Sequence, residues 1–471
     1  MPEPEQQSAA TTPRHQEIGI AIIGDGYAAA TMLIQLDERG VDPERVTVFG
    51  DTPPENIPNE NVSLGSGKAY GTANPNYRLN VRADLMKLRP DDAEFSRWAE
   101  TEIDDDDAAT HAGDFYRRCD FARFTAETLT KCASSGGWGK VRSRVTRLTP
   151  DSDGGWRVMT ADGGHYQAGM VVLATGNPDG NPSFTLDPPA RDRLEDQPWK
   201  GVWDRTLKGD ERIAIIGGGL TAMDILTTLF RHGHDGKVDL ITPGGMLPPM
   251  QANWPKADEI TPDGRVTTAH RLLRLWRANL PDDDWETPQW QSAFEGLRAC
   301  LPAIWHHLPR QERIRAGYRL SRHWQLARFR ASPQTVAAAR AMLNSGQLEL
   351  HSGRVEAMTA TDQHAHLTLT NGQIMLADRV MMATGAGRDP LVQQCHDDGL
   401  LPRAMQGVEV DHDFQVYDHH WRPTQGLYAF GPPTAFSRGD VLGAGSIAKE
   451  ASALADRLSD RLSVRMGEAL R

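Results

Sequence analysis

The residues of this 471-residue chain best suited to chemistry are glycines, set twice in a spacing that cradles phosphate. The first run, Ile18 to Ala29, is an apolar stretch that passes into G-x-G-x-x-A. Gly24 supplies a tight turn, and Gly26 lets backbone approach a pyrophosphate lying on the following helix N-terminus. Small Ala29 lets that helix pack against the strand. Tyr27 and Ala28 open the helix, and a second strand, Val46 to Phe49, leads to Asp51, placed to accept hydrogen bonds from a ribose.

The second run, Arg212 to Ala222, repeats this grammar with Gly217, Gly219, Leu220, Thr221 and Ala222. Its next strand ends at Thr242-Pro243-Gly244-Gly245. Neither the acid that favours a free 2′-hydroxyl nor an arginine that favours a 2′-phosphate stands there, so NADH and NADPH both remain open. Two further apolar strands, Met170 to Gly176 and Asp378 to Gly385, end in Ala-Thr-Gly. Gly176 and Gly385 would each let backbone pass close to a cofactor.

Such strings need strand, turn and helix to hold them. The expectation is therefore an α/β fold with two Rossmann-like, doubly wound dinucleotide-binding domains, one inserted in the other. The boundaries read as a disordered tail over 1–16, an outer domain over 17–190 and 376–471, and an inner domain over 200–375 carrying a helical insertion at 248–345.

At this point the chain resembles the flavoproteins with two dinucleotide-binding domains, whose outer domain holds FAD and whose inserted domain holds NAD(P)H. Within them, the stretches Gly67 to Thr72, Leu79 to Met86 and Asp91 to Trp98 are similar to an FAD/NAD(P)-binding group with urate hydroxylase-like and amino-acid N-hydroxylating members. The resemblance implies FAD and NADH or NADPH as cofactors, with a small-molecule substrate and oxygen as partners. It places Asn80 and Met86 along the flavin; otherwise Asn80 caps a turn and Met86 fills the core. Gly439-Asp440 takes the place of the Gly-Asp that follows a late strand in such proteins, with Asp440 on the ribityl chain. Gly445 lies in a turn opening a helix that reaches about Leu462, its N-terminus toward the flavin pyrimidine or a phosphate.

The cysteines Cys119, Cys132, Cys300 and Cys395 are isolated, which argues against a disulfide-exchanging reductase. No histidine has a convincing metal-ligand spacing, so no metal is expected. A net charge of −12 disfavours nucleic acid, and no apolar run approaches the ~20 residues that span a bilayer. Few, scattered cysteines and a polar N-terminus point to the cytoplasm. Asp104 to Asp107 reads as a solvated acidic loop.

Within 248–345, Leu272, Leu275 and Trp276, then Phe294, Leu297, Leu301, Ile304 and Trp305, recur at helical spacing. Of the twelve tryptophans, Trp254, Trp276, Trp285, Trp290, Trp305 and Trp324 fall here, most as core and one or two against a substrate. A basic run, Arg310, Arg313, Arg315, Arg319, Arg322, Arg328 and Arg330 with His306, His307 and His323, reads as a clamp for an acidic substrate or the pyridine nucleotide, or as helix-surface charge. Arg328, Arg330 and Trp324 are its substrate candidates, because Trp324 to Arg330 resembles a stretch in the same group. The leading expectation is an NAD(P)H-dependent monooxygenase working through a C4a-hydroperoxyflavin on a small polar substrate, an amino acid or heterocycle. A flavin reductase or dehydrogenase that inserts no oxygen, and a nucleotide-binding sensor that does not turn over, are the alternatives. Oligomeric state is left open.

Overall fold

The computed structural model describes residues 17–51, 64–132, 137–254, 257, 260–262, 264–282 and 284–469. The expected disordered tail, 1–16, lies outside them. The first unit comprises β1 (Glu17–Ile23), α1 (Tyr27–Glu38), β2 (Val46–Gly50), α2 (Glu94–Glu102), α3 (Arg118–Cys132), β3 (Gly139–Arg142), β4 (Val145–Pro150), β5 (Trp156–Thr160) and β6 (His165–Leu173). The second comprises β7 (Ile213–Ile216), α4 (Leu220–Arg231), β8 (Val238–Thr242), the helices α5 (Ala269–Asn279), α6 (Pro288–His307), α7 (Arg310–Arg328) and α8 (Pro333–Asn344), then β9 (Leu348–Ser352), β10 (Val355–Ala360), β11 (Ala365–Leu369), β12 (Ile374–Ala377) and β13 (Arg379–Met382). The chain closes with α9 (Pro390–Asp397), β14 (Gln415–Tyr417), β15 (Pro423–Ala429) and α10 (Ala444–Ala469).

The first sheet runs β14-β15-β6-β1-β2-β3, parallel from β15 to β3, with β5 and β4 added antiparallel beside β6. Strand β1 has no polar face: Ile20 and Ile22 pack with α1 and α10, while Ile18, Ala21 and Ile23 pack with α9 and β4. A parallel strand covered on both sides needs this continuous apolar run. The second sheet places β13, β7, β8 and β9 side by side in parallel, with the short strand Leu194–Glu195 beyond β13. Ile213 and Ile215 face α4 and α8, whereas Ala214 and Ile216 face the small sheet of β10, β11, β12 and Thr185–Leu186. In both sheets β2 or β8 lies on one side of the leading strand and the Ala-Thr-Gly strand on the other, a topological switch point that opens a crevice at the strand ends.

Two expected boundaries move. The strand ending at Gly385 pairs with β7 and not with the first sheet, so the chain returns to the first unit only at β14 and β15, well after 376. Likewise Thr185–Leu186 pairs with β10, so the first unit ends before 190. The expected insertion also divides: α5, α6 and α7 form their own apolar clusters, but Val336, Ala339 and Met342 of α8 pack into the second unit's core.

The two units are joined by a polar seam. Arg118 of α3 is paired with Asp224 of α4 at 2.8 Å, and Trp203 donates to the Tyr77 hydroxyl at 3.0 Å. Burial pushes the Asp224 carboxyl up to about 7 despite its arginine. The acidic run expected to be solvated takes part: Asp105 is buried against Arg78, and Asp107 pairs with Arg231 of α4 at 2.6 Å. Among the described residues no helix is long and apolar enough to cross a membrane.

Candidate functional site

Both glycine turns have the same backbone. Gly24 adopts φ 118° and Gly217 φ 108°, conformations that side chains rarely tolerate. A β-carbon on Gly24 would lie 2.3 Å from the Ala174 carbonyl oxygen, and one on Gly217 would lie 2.3 Å from that of Ala383. The Gly24 amide donates to Phe49 O and the Gly217 amide to Ile241 O, each at 2.8 Å. Gly26 and Gly219 then cap α1 and α4 with φ of −82° and −88°, and in neither helix does a side chain cap the first turn or an acid occupy it. Two helix N-termini thus present amides free of any side-chain cap at the mouth of a crevice, the geometry that receives a phosphate.

The other predicted residues fall into place unevenly. Ala29 and Ala222 are fully buried at the helix-strand contact, while Leu220 and Thr221 are half-buried in the first turn of α4. Gly176 and Gly385, at φ 66° and 89°, stand at corresponding strand ends with open space where a side chain would project. The buried Thr175 hydroxyl beside Gly176 has no hydrogen-bond partner among the described residues, an orphan a ligand would satisfy. Gly67 packs directly on the first turn, since its β-carbon would come within 2.9 Å of Gly26 Cα.

Tyr27 is turned into the protein: its buried hydroxyl reaches the Ala444 carbonyl at 2.9 Å and the Lys87 carbonyl. This joins the first turn of α1 to the start of α10, where Gly445 sits beside the Leu85 carbonyl. Burial raises that phenol well above its ordinary range. Met86 is buried in the core shared with α1 and α10, and Asn80 is half-buried. Asp51 follows β2 but is held by Arg144 at 2.6 Å, both half-exposed. Asp25, inside the turn, has its carboxyl pushed up to about 6 by burial and then by the nearby Asp51 charge.

Several predicted residues have partners within the protein. Asp440 does not reach toward the first turn; its buried carboxylate accepts from Arg298 at 2.7 Å and Arg328 at 3.2 Å. Arg328 and Arg330, the substrate candidates, are engaged by the protein itself, Arg328 by Asp440 and Arg330 by Glu295 and by Gln251 Oε1 at 2.9 Å. Desolvation, then the neighbouring Arg298, lowers the Arg328 guanidinium to about 10. Burying arginine demands such partners, which is why these side chains turn inward. Trp324, the third substrate candidate, lines an apolar cavity with Trp276 and Trp305.

Arg322 belongs to the basic run but was not singled out within it. Its Nη2 lies 1.5 Å from where a Gly244 β-carbon would sit, so its exposed guanidinium covers the end of β8 next to Thr242. The strand end that carries no arginine of its own receives one from α7. Among the described residues one trio, Asp239, Glu349 and His351, could approach a metal ion. Asp239 already accepts from Arg212 at 3.0 Å and contacts His351 at 2.9 Å.

Residues 21–178 match the model of a family described as FAD-NAD(P)-binding. No curated protein matches the chain by sequence. Among solved structures, the ornithine N-hydroxylase of Kutzneria sp. 744, captured with reduced FAD, NADP+ and L-ornithine, is similar with a TM-score of 0.63 at 15% identity, over 95% of this chain and 100% of that one. The ornithine hydroxylase of Pseudomonas aeruginosa gives 0.62 at 17% identity, over 95% and 100%. The FAD-bound cadaverine monooxygenase of Erwinia amylovora gives 0.62 at 14% identity, over 94% of each chain. The chain has the fold of the flavoproteins with two dinucleotide-binding domains.

Proposed function

We propose that the protein is an FAD-dependent monooxygenase that uses NADPH and oxygen to hydroxylate the nitrogen of a small primary amine. The overall change is RNH2 + O2 + NADPH + H+ → RNHOH + NADP+ + H2O. The observation that carries this reading is the doubled cradle: two side-chain-free helix N-termini behind glycine turns of the same conformation. Its occurrence in a fold shared along the chain with N-hydroxylases supports the reaction class.

In this reading the amides of Tyr27, Ala28 and Ala29 hold the FAD diphosphate, those of Leu220, Thr221 and Ala222 hold that of NADPH, and Arg322 meets the 2′-phosphate. Gly176 and Gly385 let backbone approach each nucleotide, Asp51 serves the FAD ribose, and Asn80, Met86 and the Gly445 turn border the flavin. Flavin, when bound, supplies hydride acceptance and oxygen activation; the chain supplies orientation and a water-poor pocket. The thiols do not suit disulfide exchange, because burial raises all of them, Cys132 to about 11 and Cys395 to about 12. Four free cysteines also suit a reducing cytoplasm.

The test follows NADPH consumption, peroxide and hydroxylamine together in FAD-loaded protein supplied with a panel of amines. Hydroxylamine formed in step with NADPH supports the proposal. NADPH oxidation that yields only peroxide with every amine favours a reductase, and failure of NADPH to bleach the flavin favours a sensor.

A further inference from the structure

The helices α5, α6 and α7, with residues between Gln406 and Leu442, line an open-mouthed cavity of about 150 Å³. We infer that it receives the apolar body of the substrate, a ring-bearing or branched alkyl amine entering as the free base. This rests on the monooxygenase reading and adds the substrate class.

The first argument is size and lining. Leu272, Trp276, Leu301, Trp305, Leu320 and Trp324 form its walls, and a largely apolar space of this volume accommodates a benzene-sized guest. The second is position. Leu442 lines the cavity and lies two residues before Ala444, so the two are at most about 7 Å apart along the chain. The Ala444 carbonyl is 2.9 Å from the Tyr27 hydroxyl, so the wall at Leu442 lies close to the helix start proposed to border the flavin.

The third argument is charge. Asp440 is the carboxylate that lines the cavity, and it is neutralised by Arg298 and Arg328. Glu295 is likewise taken by Arg298 at 2.8 Å and by Arg330. Among the described residues that line it, no unpaired carboxylate can hold a second ammonium. A diamine or a diamino acid would bury its second ammonium without a partner, which is heavily disfavoured. Three guanidiniums against two carboxylates also leave a positive excess behind Asp440, which disfavours an ammonium and favours the neutral amine. The neutral amine carries the lone pair that N-hydroxylation consumes.

Ser321 is exposed and stands at the rim of the cavity, which makes it a site for blocking entry without touching the core. The FAD-loaded protein would be titrated with 2-phenylethylamine, cyclohexylmethylamine, cadaverine and ornithine, reading tryptophan fluorescence and calorimetric heat. Expected are binding of the two apolar amines at least tenfold tighter than the other two, a change in tryptophan emission, and affinity that rises with pH toward the amine's own pKa. Ser321→Trp is expected to abolish this binding while flavin content and melting temperature stay as in the parent. As a second variant, Leu320→Asn should weaken it by placing an amide in the wall. Tighter binding of cadaverine or ornithine, no binding of either apolar amine, or unchanged binding in both variants would overturn the substrate class while leaving the monooxygenase reading intact. Apolar amines that bind as expected but are never hydroxylated would overturn the monooxygenase reading and keep the cavity as their site.

Discussion

The two glycine turns share a backbone but exchange their side chains. The bonds from Gly24 to Phe49 and from Gly217 to Ile241 make Gly50 and Thr242 equivalent strand ends, and Asp25 and Gly218 equivalent turn residues. In the first unit Asp25 fills the space above Gly50, where a β-carbon would come within 2.3 Å of its Oδ2. In the second, Thr242 fills the space, and a β-carbon on Gly218 would meet it at 3.1 Å. One site holds one side chain, and either partner can supply it. The difference in charge follows: a carboxylate sits in the first turn and Asp51 beyond it, while the second has a hydroxyl and, from α7, Arg322. The same fold thus prepares two nucleotide ends of opposite electrostatic character.

The strongest way to break this comparison is to remove one turn at a time. Gly24→Ala forces a side chain into the Ala174 carbonyl, and the protein should retain less than about a tenth of its flavin, as absorbance at purification would show. Gly217→Ala should keep the flavin and raise KM for NADPH on the order of 100-fold, equivalent to about 3 kcal/mol. Equal loss of both nucleotides in both variants would mean the units are not separate sites.

The exchange itself is tested by Gly50→Thr, which collides with Asp25 and should cost about 2 kcal/mol in denaturant unfolding of the apoprotein. Asp25→Gly introduced beside it should recover most of that loss. Additive effects in the double variant would refute the shared space. Next in size, Arg322→Ala should lower kcat/KM for NADPH about 10- to 100-fold, the range of charge-assisted hydrogen bonding, with NADH unaffected. A uniform loss for both nucleotides would remove Arg322 from 2′-phosphate recognition.

The smallest effect concerns pH. Because the Asp25 carboxyl is raised from 3.8 to about 6, the folded protein holds its proton more tightly than the unfolded chain. Its stability relative to Asp25→Asn should therefore fall as pH rises from about 4 to about 6 and stay level above that. Melting temperatures of the two apoproteins across that window provide the check, and a constant difference would show that Asp25 is not held protonated.

Much of the site was legible because its parts are local. Strand, glycine turn and helix occupy some twelve consecutive residues from Ile18 to Ala29, and apolar runs of this kind specify buried parallel strands. The Ala-Thr-Gly strands were recognisable as elements but not as members of a sheet: both have the same local pattern, and only pairing with β7 assigns the second one. The partners of Asp440 were hidden for a similar reason, since a Gly-Asp pair carries no sign of the two arginines on α6 and α7.

The sequence by itself determined the two turns, the apolar strands that carry them and the isolation of the cysteines, because glycine conformation and side-chain periodicity act over a few residues. Only the tertiary structure decided which sheet takes each strand, which arginines are spent on Asp440 and Glu295, and that Arg322 reaches Gly244 from far along the chain. Those outcomes depend on desolvation and space, and a buried charge finds its partner among whatever the fold brings near.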